Sequence, residues 1–285
     1  MHINQIFLKD KPTFSFEFFP PQTRSQAEIL YENITRLTPL APSFISITYG
    51  AGGSTRELTH DLVLKLNKEE QLTVIPHLTC IGHRKSELKQ MVNSYRTKSI
   101  KNIMTLRGDI KSTDGKTAGD FDYASQLVRY IKKNFPEMGI GVAGYPNGHP
   151  ETPNRLQEMD YLKHKVDQGA DFICTQLFYD NHNFFDFQER IRLAGIKIPL
   201  IAGLMPLTSI KMMKKMSKVA LGTHIPGKLQ RIISQCKNQQ EVQSAGIDWS
   251  TAQVENLLRN QVDGIHFYTL NRSQATLQIY KNLEL

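Results

Sequence analysis

In TFSFEFFPPQ, residues 13 to 22, a single carboxylate, Glu17, stands among four phenylalanines and is followed by Pro20 and Pro21. Read as a strand, the run alternates. Phe14, Phe16 and Phe18 share one face, and Ser15, Glu17 and Phe19 share the other. If the phenylalanines pack outward against helices, Glu17 points into an interior walled by Phe19, and a carboxyl shielded from water there suits a general acid. The alternative is a structural glutamate paired with a buried cation, for which Arg107 is a candidate. The residues alone leave both readings open.

Other polar groups fall at the ends of apolar runs in the same way. Thr48, Tyr49 and the GAGG loop follow one run, and His77, Thr79 and Cys80 close another. Arg107, Gly108 and Asp109, then Tyr145 with His149, then Gln176, and finally Tyr268, Asn271 and Arg272 continue the series. GAGGST, residues 50 to 55, is a glycine-rich turn that lets backbone approach a phosphate, but Thr55 stands where a dinucleotide fingerprint needs its third glycine. His77 reads as a base, a ligand or a hydrogen-bonded structural residue. Without HxH, HExxH or an acidic cluster, no metal is expected. RGD at 107 to 109 lies at a strand end, the wrong context for adhesion, and Met212, Met213 and Met216 have the spacing of helix packing.

The elements that must carry these groups are legible as eight apolar or alternating runs: 13 to 19, 44 to 50, 73 to 80, 102 to 108, 139 to 146, 171 to 179, 199 to 205 and 264 to 270. Segments of helical periodicity lie between them, many introduced by Ser, Thr or Asp. Alternating strands and helices imply parallel pairing through right-handed crossovers, and eight units predict an α/β fold of the (β/α)8 TIM-barrel type. An open doubly wound sheet is the alternative. The stretch from 206 to 263 is long enough for two or three helices, with an added one near the mouth, and nothing resembling a linker divides the chain, so residues 1 to 285 read as one domain. In such a barrel the site sits at the C-terminal ends of the strands, where the polar groups above would converge.

Composition sets the outer limits. With 285 residues, 40% hydrophobic and 22% charged, the chain can bury a sizeable core. The formal charge of +8 comes from lysines and arginines scattered along the sequence; even the densest cluster, KMMKKMSK at 211 to 218, reads as a solvated helix face backed by methionines. A nucleic-acid partner is therefore not expected, whereas a positive field that gathers small anionic ligands is. The N-terminal MHINQIFLKDK lacks the apolar core of a leader, and no run reaches membrane-span length. Cys80, Cys174 and Cys236 lie far apart without CxxC spacing. A cytoplasmic protein without membrane association is expected.

Seven strings carry a more specific signal: SFEFFPP at 15 to 21, SITYGAGG at 46 to 53, PHLTC at 76 to 80, LRGD at 106 to 109, AGYPNGHPE at 143 to 151, DFICTQLFYD at 171 to 180 and HFYTLNR at 266 to 272. Together, and in order, they resemble the methylenetetrahydrofolate reductases in their single-domain bacterial form. The resemblance implies a flavin-dependent barrel that reduces 5,10-methylenetetrahydrofolate to 5-methyltetrahydrofolate with electrons from NADH or NADPH, in two half-reactions at one site. That product supplies methyl groups for methionine synthesis. It implies Glu17 as the general acid that opens the imidazolidine ring to a 5-iminium cation, and Asp109 as the aspartate that orients the pterin and favours the cation. Gln176 and Arg272 match substrate contacts. Thr48, Tyr49, Ala51, His77, Arg107, Gly108, Asp109, Ala124, Tyr145, His149 and Lys165 match the positions that hold FAD.

The family tends to homo-oligomers, and control by S-adenosylmethionine through an appended domain is not expected here. Departures also show. Met212 and Met216 stand where well-known members carry glutamine and phenylalanine, and His164 and Tyr161 where some carry arginine and asparagine. A catalytically silent flavin or folate binder and a proline dehydrogenase-like flavin barrel are the competing readings.

Overall fold

The computed structural model describes residues 1–48, 56–69, 72–108, 119–152, 154–219 and 222–285. Eight parallel strands close in sequence order into a barrel: β1 (Thr13–Phe18), β2 (Phe44–Ile47), β3 (Val74–Thr79), β4 (Asn102–Leu106), β5 (Gly139–Gly144), β6 (Phe172–Thr175), β7 (Leu200–Leu204) and β8 (Gly264–Tyr268). The ring closes where β1 pairs β8, with Thr13 opposite Gly264 and Glu17 opposite Tyr268. The expected (β/α)8 class is therefore the observed one, and the open sheet is excluded.

Outward-facing Phe16, Phe18, Ile45, Ile47, Ile103, Ile140, Val142, Ile173 and Phe267 pack beneath the surrounding helices in one continuous core. Those helices are α2 (Arg24–Leu37), α3 (Arg56–Glu69), α4 (Lys85–Thr97), α5 (Ala124–Asn134), α6 (Arg155–Asp167), α7 (Asn181–Leu193), α10 (Gln239–Arg259) and α11 (Gln274–Leu283). Several begin on side-chain caps that satisfy the first free amides: Thr23 accepts from Gln26, Asn154 from Leu156 and Gln157, Asp180 from His182, and Asn238 from Glu241.

Two features go beyond the alternating pattern. The first is a seven-residue helix, α1 (Ile3–Lys9), ahead of β1. Its Ile3, Ile6 and Phe7 fall on one face and close the lower end of the barrel in one apolar cluster with Phe44, Ile75, Phe172 and Ile201, which Met104 and Cys174 continue one step further up. Asn102 ties this plug down, accepting from the Ile3 amide at 2.7 Å and donating to the Met1 carbonyl at 2.8 Å. The second is the stretch between β7 and β8, which holds three helices: α8 (Ile210–Val219), α9 (Gly227–Gln235) and α10. Leu177, Tyr179, Met205, Leu207, Met216, Ile225 and Leu229 form a separate apolar cluster there, near the mouth.

Candidate active site

Side chains from all eight strands or the turns that follow them line one cavity of about 1770 Å³ at the C-terminal end of the barrel. A single drug-sized ligand fills roughly 300–1,000 Å³, so this one has room for two. Among the residues singled out by sequence, Glu17, Thr48, His77, Arg107, Gly108, Ala124, Tyr145, His149, Lys165, Gln176 and Arg272 all line it, as do Tyr161, His164, Met212 and Met216. Tyr49, Ala51 and Asp109 lie outside the described residues.

Glu17 is 6% exposed. Its Oε2 stands 3.4 Å from His77 Nε2 and 3.5 Å from His266 Nε2. The pairing with Arg107 entertained above does not form, because that guanidinium is taken, two-pronged, by Glu151 at 2.6 and 2.8 Å. Both imidazoles are sunk in the barrel. Burial pushes His77 below the ordinary histidine value, outweighing the pull of Glu17 in the other direction. Among the described residues the Glu17 carboxyl thus faces two imidazoles and has no lysine or arginine in contact.

His266 was not among the residues singled out by sequence. Its Nδ1 lies 2.7 Å from Ser15 Oγ, its Nε2 lies 3.4 Å from Ser46 Oγ, and its ring stacks on Phe44 at 6.0 Å. The signal was present in GIHFY, where alternation puts His266 and Tyr268 on the same inward face. Above it, Tyr268 donates to the Thr175 carbonyl at 2.6 Å, and the Thr269 hydroxyl donates to the Glu17 carbonyl at 2.6 Å. These bonds tie the β8 end to β1 on one side and, reaching past β7, to the end of β6 on the other.

A second group of polar residues forms the wall between β4 and α6. Lys165 Nζ donates to the Ala143 carbonyl at 2.7 Å, and burial brings its pKa down to about 8 although Glu158 works the other way. His149 accepts the Glu151 amide at Nδ1 over 3.2 Å, meets the edge of Tyr145 at 4.7 Å, and is also held below the usual histidine value by burial. Gly108 turns with φ +88°, and a Cβ there would press on Thr79 Cβ at 3.0 Å, so the chain after β4 runs close to its neighbour without a side chain between. Across the cavity, Thr48 Oγ1 is buried without a hydrogen-bond partner. An orphaned hydroxyl on one side of the cavity, with a lysine, an arginine and a histidine on the other, suits a bound group with a polar ring edge and an anionic linker.

Gln176 spends its Oε1 on the Leu177 amide at 2.9 Å, and its Nε2 has no partner among the described residues. Arg272 stands exposed at the rim. Met212 is half-buried and Met216 buried in the apolar cluster beside it. Among the described residues, no group of three or more His, Cys, Asp or Glu is placed to hold a metal ion, and no helix is long and apolar enough to cross a membrane.

A family model described as methylenetetrahydrofolate reductase matches residues 2–284. Methylenetetrahydrofolate reductase (NADH) 1 of Arabidopsis thaliana is 35% identical over 297 residues, covering 99% of this chain and 50% of its own length. Methylenetetrahydrofolate reductase 1 of Schizosaccharomyces pombe is 36% identical over 97% of this chain and 47% of its own. The 5,10-methylenetetrahydrofolate reductase of Escherichia coli K12 is 35% identical over 94% of this chain and 90% of its own. The chain thus spans about half the length of the plant and fission-yeast relatives and most of the bacterial one. A Clostridium thermocellum protein described as binding two copies of 5-methyl-5,6,7,8-tetrahydrofolic acid shares the fold, with a TM-score of 0.67 at 14% identity over 100% of this chain and 99% of its own. With a family match over nearly its whole length and bacterial relatives matched almost end to end, the chain belongs to the methylenetetrahydrofolate reductase family.

Proposed function

We propose that the chain reduces 5,10-methylenetetrahydrofolate to 5-methyltetrahydrofolate in the barrel mouth, with FAD bound there and NADH or NADPH as electron donor. The observation that carries this reading is Glu17, a buried carboxyl between two imidazoles on the floor of a cavity large enough for two ligands. Bound FAD supplies the hydride transfer. Lys165, Arg107 and His149 are the groups that meet its pyrophosphate and ribose, and Thr48 offers its orphaned hydroxyl to a polar edge.

Glu17 gives its proton to the folate, which opens the five-membered ring and leaves the iminium carbon as the better hydride acceptor. Asp109 adds negative charge near that cation. Gln176 donates from Nε2 to the pterin or the nicotinamide, and Arg272 meets the anionic end of the folate. The plant relative's name specifies NADH, while the chain's own choice between the two nucleotides is open to assay. A homo-oligomeric, cytoplasmic enzyme completes the proposal.

The test is spectroscopic. The purified protein, supplied with FAD, is mixed anaerobically with NADH or NADPH and then with methylenetetrahydrofolate. Bleaching by one nucleotide followed by recovery with the folate, and formation of the methyl product, is expected. A flavin that binds but is never reoxidised by the folate would refute the reaction, and failure to retain any flavin would refute the cofactor wall.

A further inference from the structure

Helix α8 presents two parallel rows to the cavity. Met212 and Met216 are four residues apart on it, and so are Lys211 and Lys215, which puts each pair on one face. All four line the cavity, with both lysines exposed. Neither lysine has an ion-pair or hydrogen-bond partner among the described residues. Among the described residues, the carboxylates that line the same cavity are already engaged. Glu17 faces His77 and His266, Glu151 holds Arg107, and Glu158 faces Arg155. A rim that reads an unsubstituted ribose hydroxyl carries a free acid, and one that reads a phosphate carries free cations. This rim has the cations.

We propose that Lys211 and Lys215 are specificity-determining residues that recognise an anionic group on the outer end of a ligand bound in the cavity. The proposal rests on the reading that the cavity takes a nicotinamide nucleotide and a folate. Two ligands bring the required chemistry: the 2′-phosphate that distinguishes NADPH from NADH, and the extra carboxylates of a folate with a lengthened glutamate tail. Lys214 sits on the same helix but does not line the cavity, so it carries equal charge without the proposed contact.

The experiment is calorimetric, needs no turnover, and uses the flavin-loaded protein at low salt. Affinities are measured for NADP⁺ against NAD⁺, and for 5-methyltetrahydrofolate with three glutamates against one. In the Lys211→Gln/Lys215→Gln double variant, the preference for the more anionic member of at least one pair is expected to fall about three- to tenfold. Lys214→Gln should leave both ratios unchanged. A change in the nucleotide pair alone assigns the rim to the phosphate, and a change in the folate pair alone assigns it to the tail. Ratios unmoved by the double variant, an equal effect from Lys214→Gln, or no binding of any of the four ligands would overturn the proposal. Binding that responds to the lysines in a protein without turnover would leave the rim standing and remove only the catalytic reading.

Discussion

At the lower end of the barrel, Phe44, Ile75, Phe172 and Ile201 interlock with Ile3, Ile6 and Phe7 of α1. Two residues further along those strands, on the same inward face, stand Ser46, His77, Cys174 and Gly203. On β1 the same step runs from Ser15 to Glu17, and on β8 from Gly264 to His266. One pleat therefore separates a side-chain-filled apolar layer, whose Phe44, Ile75 and Phe172 still reach the cavity, from a more polar layer above it. The lower layer is stabilised by apolar burial and the upper one carries titrating groups at a cost in stability, which is the division of labour expected of this fold. Glu17 is buried where it stands directly above that apolar layer.

Breaking the lower layer should cost stability and little else. Ile6→Ala removes a side chain that is 2% exposed, and unfolding in urea is expected to show a loss of about 2–5 kcal/mol. Turnover per folded molecule should hardly move, and a parallel loss of turnover would show that the two layers are coupled. The upper layer should respond the other way. Lys165→Met is expected to weaken FAD binding by about 1.5–3 kcal/mol with a smaller effect on unfolding of the apoprotein. Because Lys165 titrates at about 8 before an anion binds, FAD affinity of the unchanged protein should decline as pH rises above that value. A pH-independent affinity between pH 7 and 9.5 would remove Lys165 from the cofactor wall.

The histidines give a smaller effect with a definite sign. Burial holds His77 below its ordinary value, as it does His149 and His2. As pH falls, the unfolded chain takes up these protons first, so the stability they contribute is present above about pH 6.5 and is lost below it, by at most about 1.4 kcal/mol per pH unit for each group. Unfolding free energies measured from pH 7.5 to 5.5 should show that decline, and His77→Gln should make it shallower. The smallest change concerns Thr48, whose hydroxyl is buried without a partner. Thr48→Val should leave the apoprotein as stable or about 1 kcal/mol more so, while FAD binding weakens several-fold on the order of one lost hydrogen bond. An apoprotein clearly destabilised by this change would show that the hydroxyl already has work within the protein.

All eight strands were legible because each is a short apolar or alternating run, most of them rich in β-branched or aromatic residues, and because both faces of a parallel barrel strand are buried. Their ends were less so: the run 171 to 179 is a strand only over Phe172–Thr175, since Gln176 onward turns into the mouth. The α1 plug escaped because its apolar pattern spans only Ile3, Ile6 and Phe7, two turns that have no partner until the barrel exists. Glu17's inward direction followed from alternation, but its companions did not. His266 is 249 positions away along the chain, and the Arg107–Glu151 pair spans 44. Such pairings depend on strand order and loop path rather than on any local pattern. The parts assigned to Gln176, Arg272 and the FAD wall came from resemblance, and spacing alone would have stopped at an acid in a barrel mouth.

On the proposed function, Glu17 serves the folate and not the flavin. Single-turnover mixing of the Glu17→Gln protein tests it directly, by following flavin reduction with NADH or NADPH and, separately, reoxidation of the reduced flavin by methylenetetrahydrofolate. Normal flavin content is expected, with reduction within a few-fold of the unchanged protein and reoxidation slowed by about 10²–10⁴. Equal loss of both half-reactions, or unimpaired reoxidation, would contradict it and leave Glu17 as a structural carboxylate between two histidines.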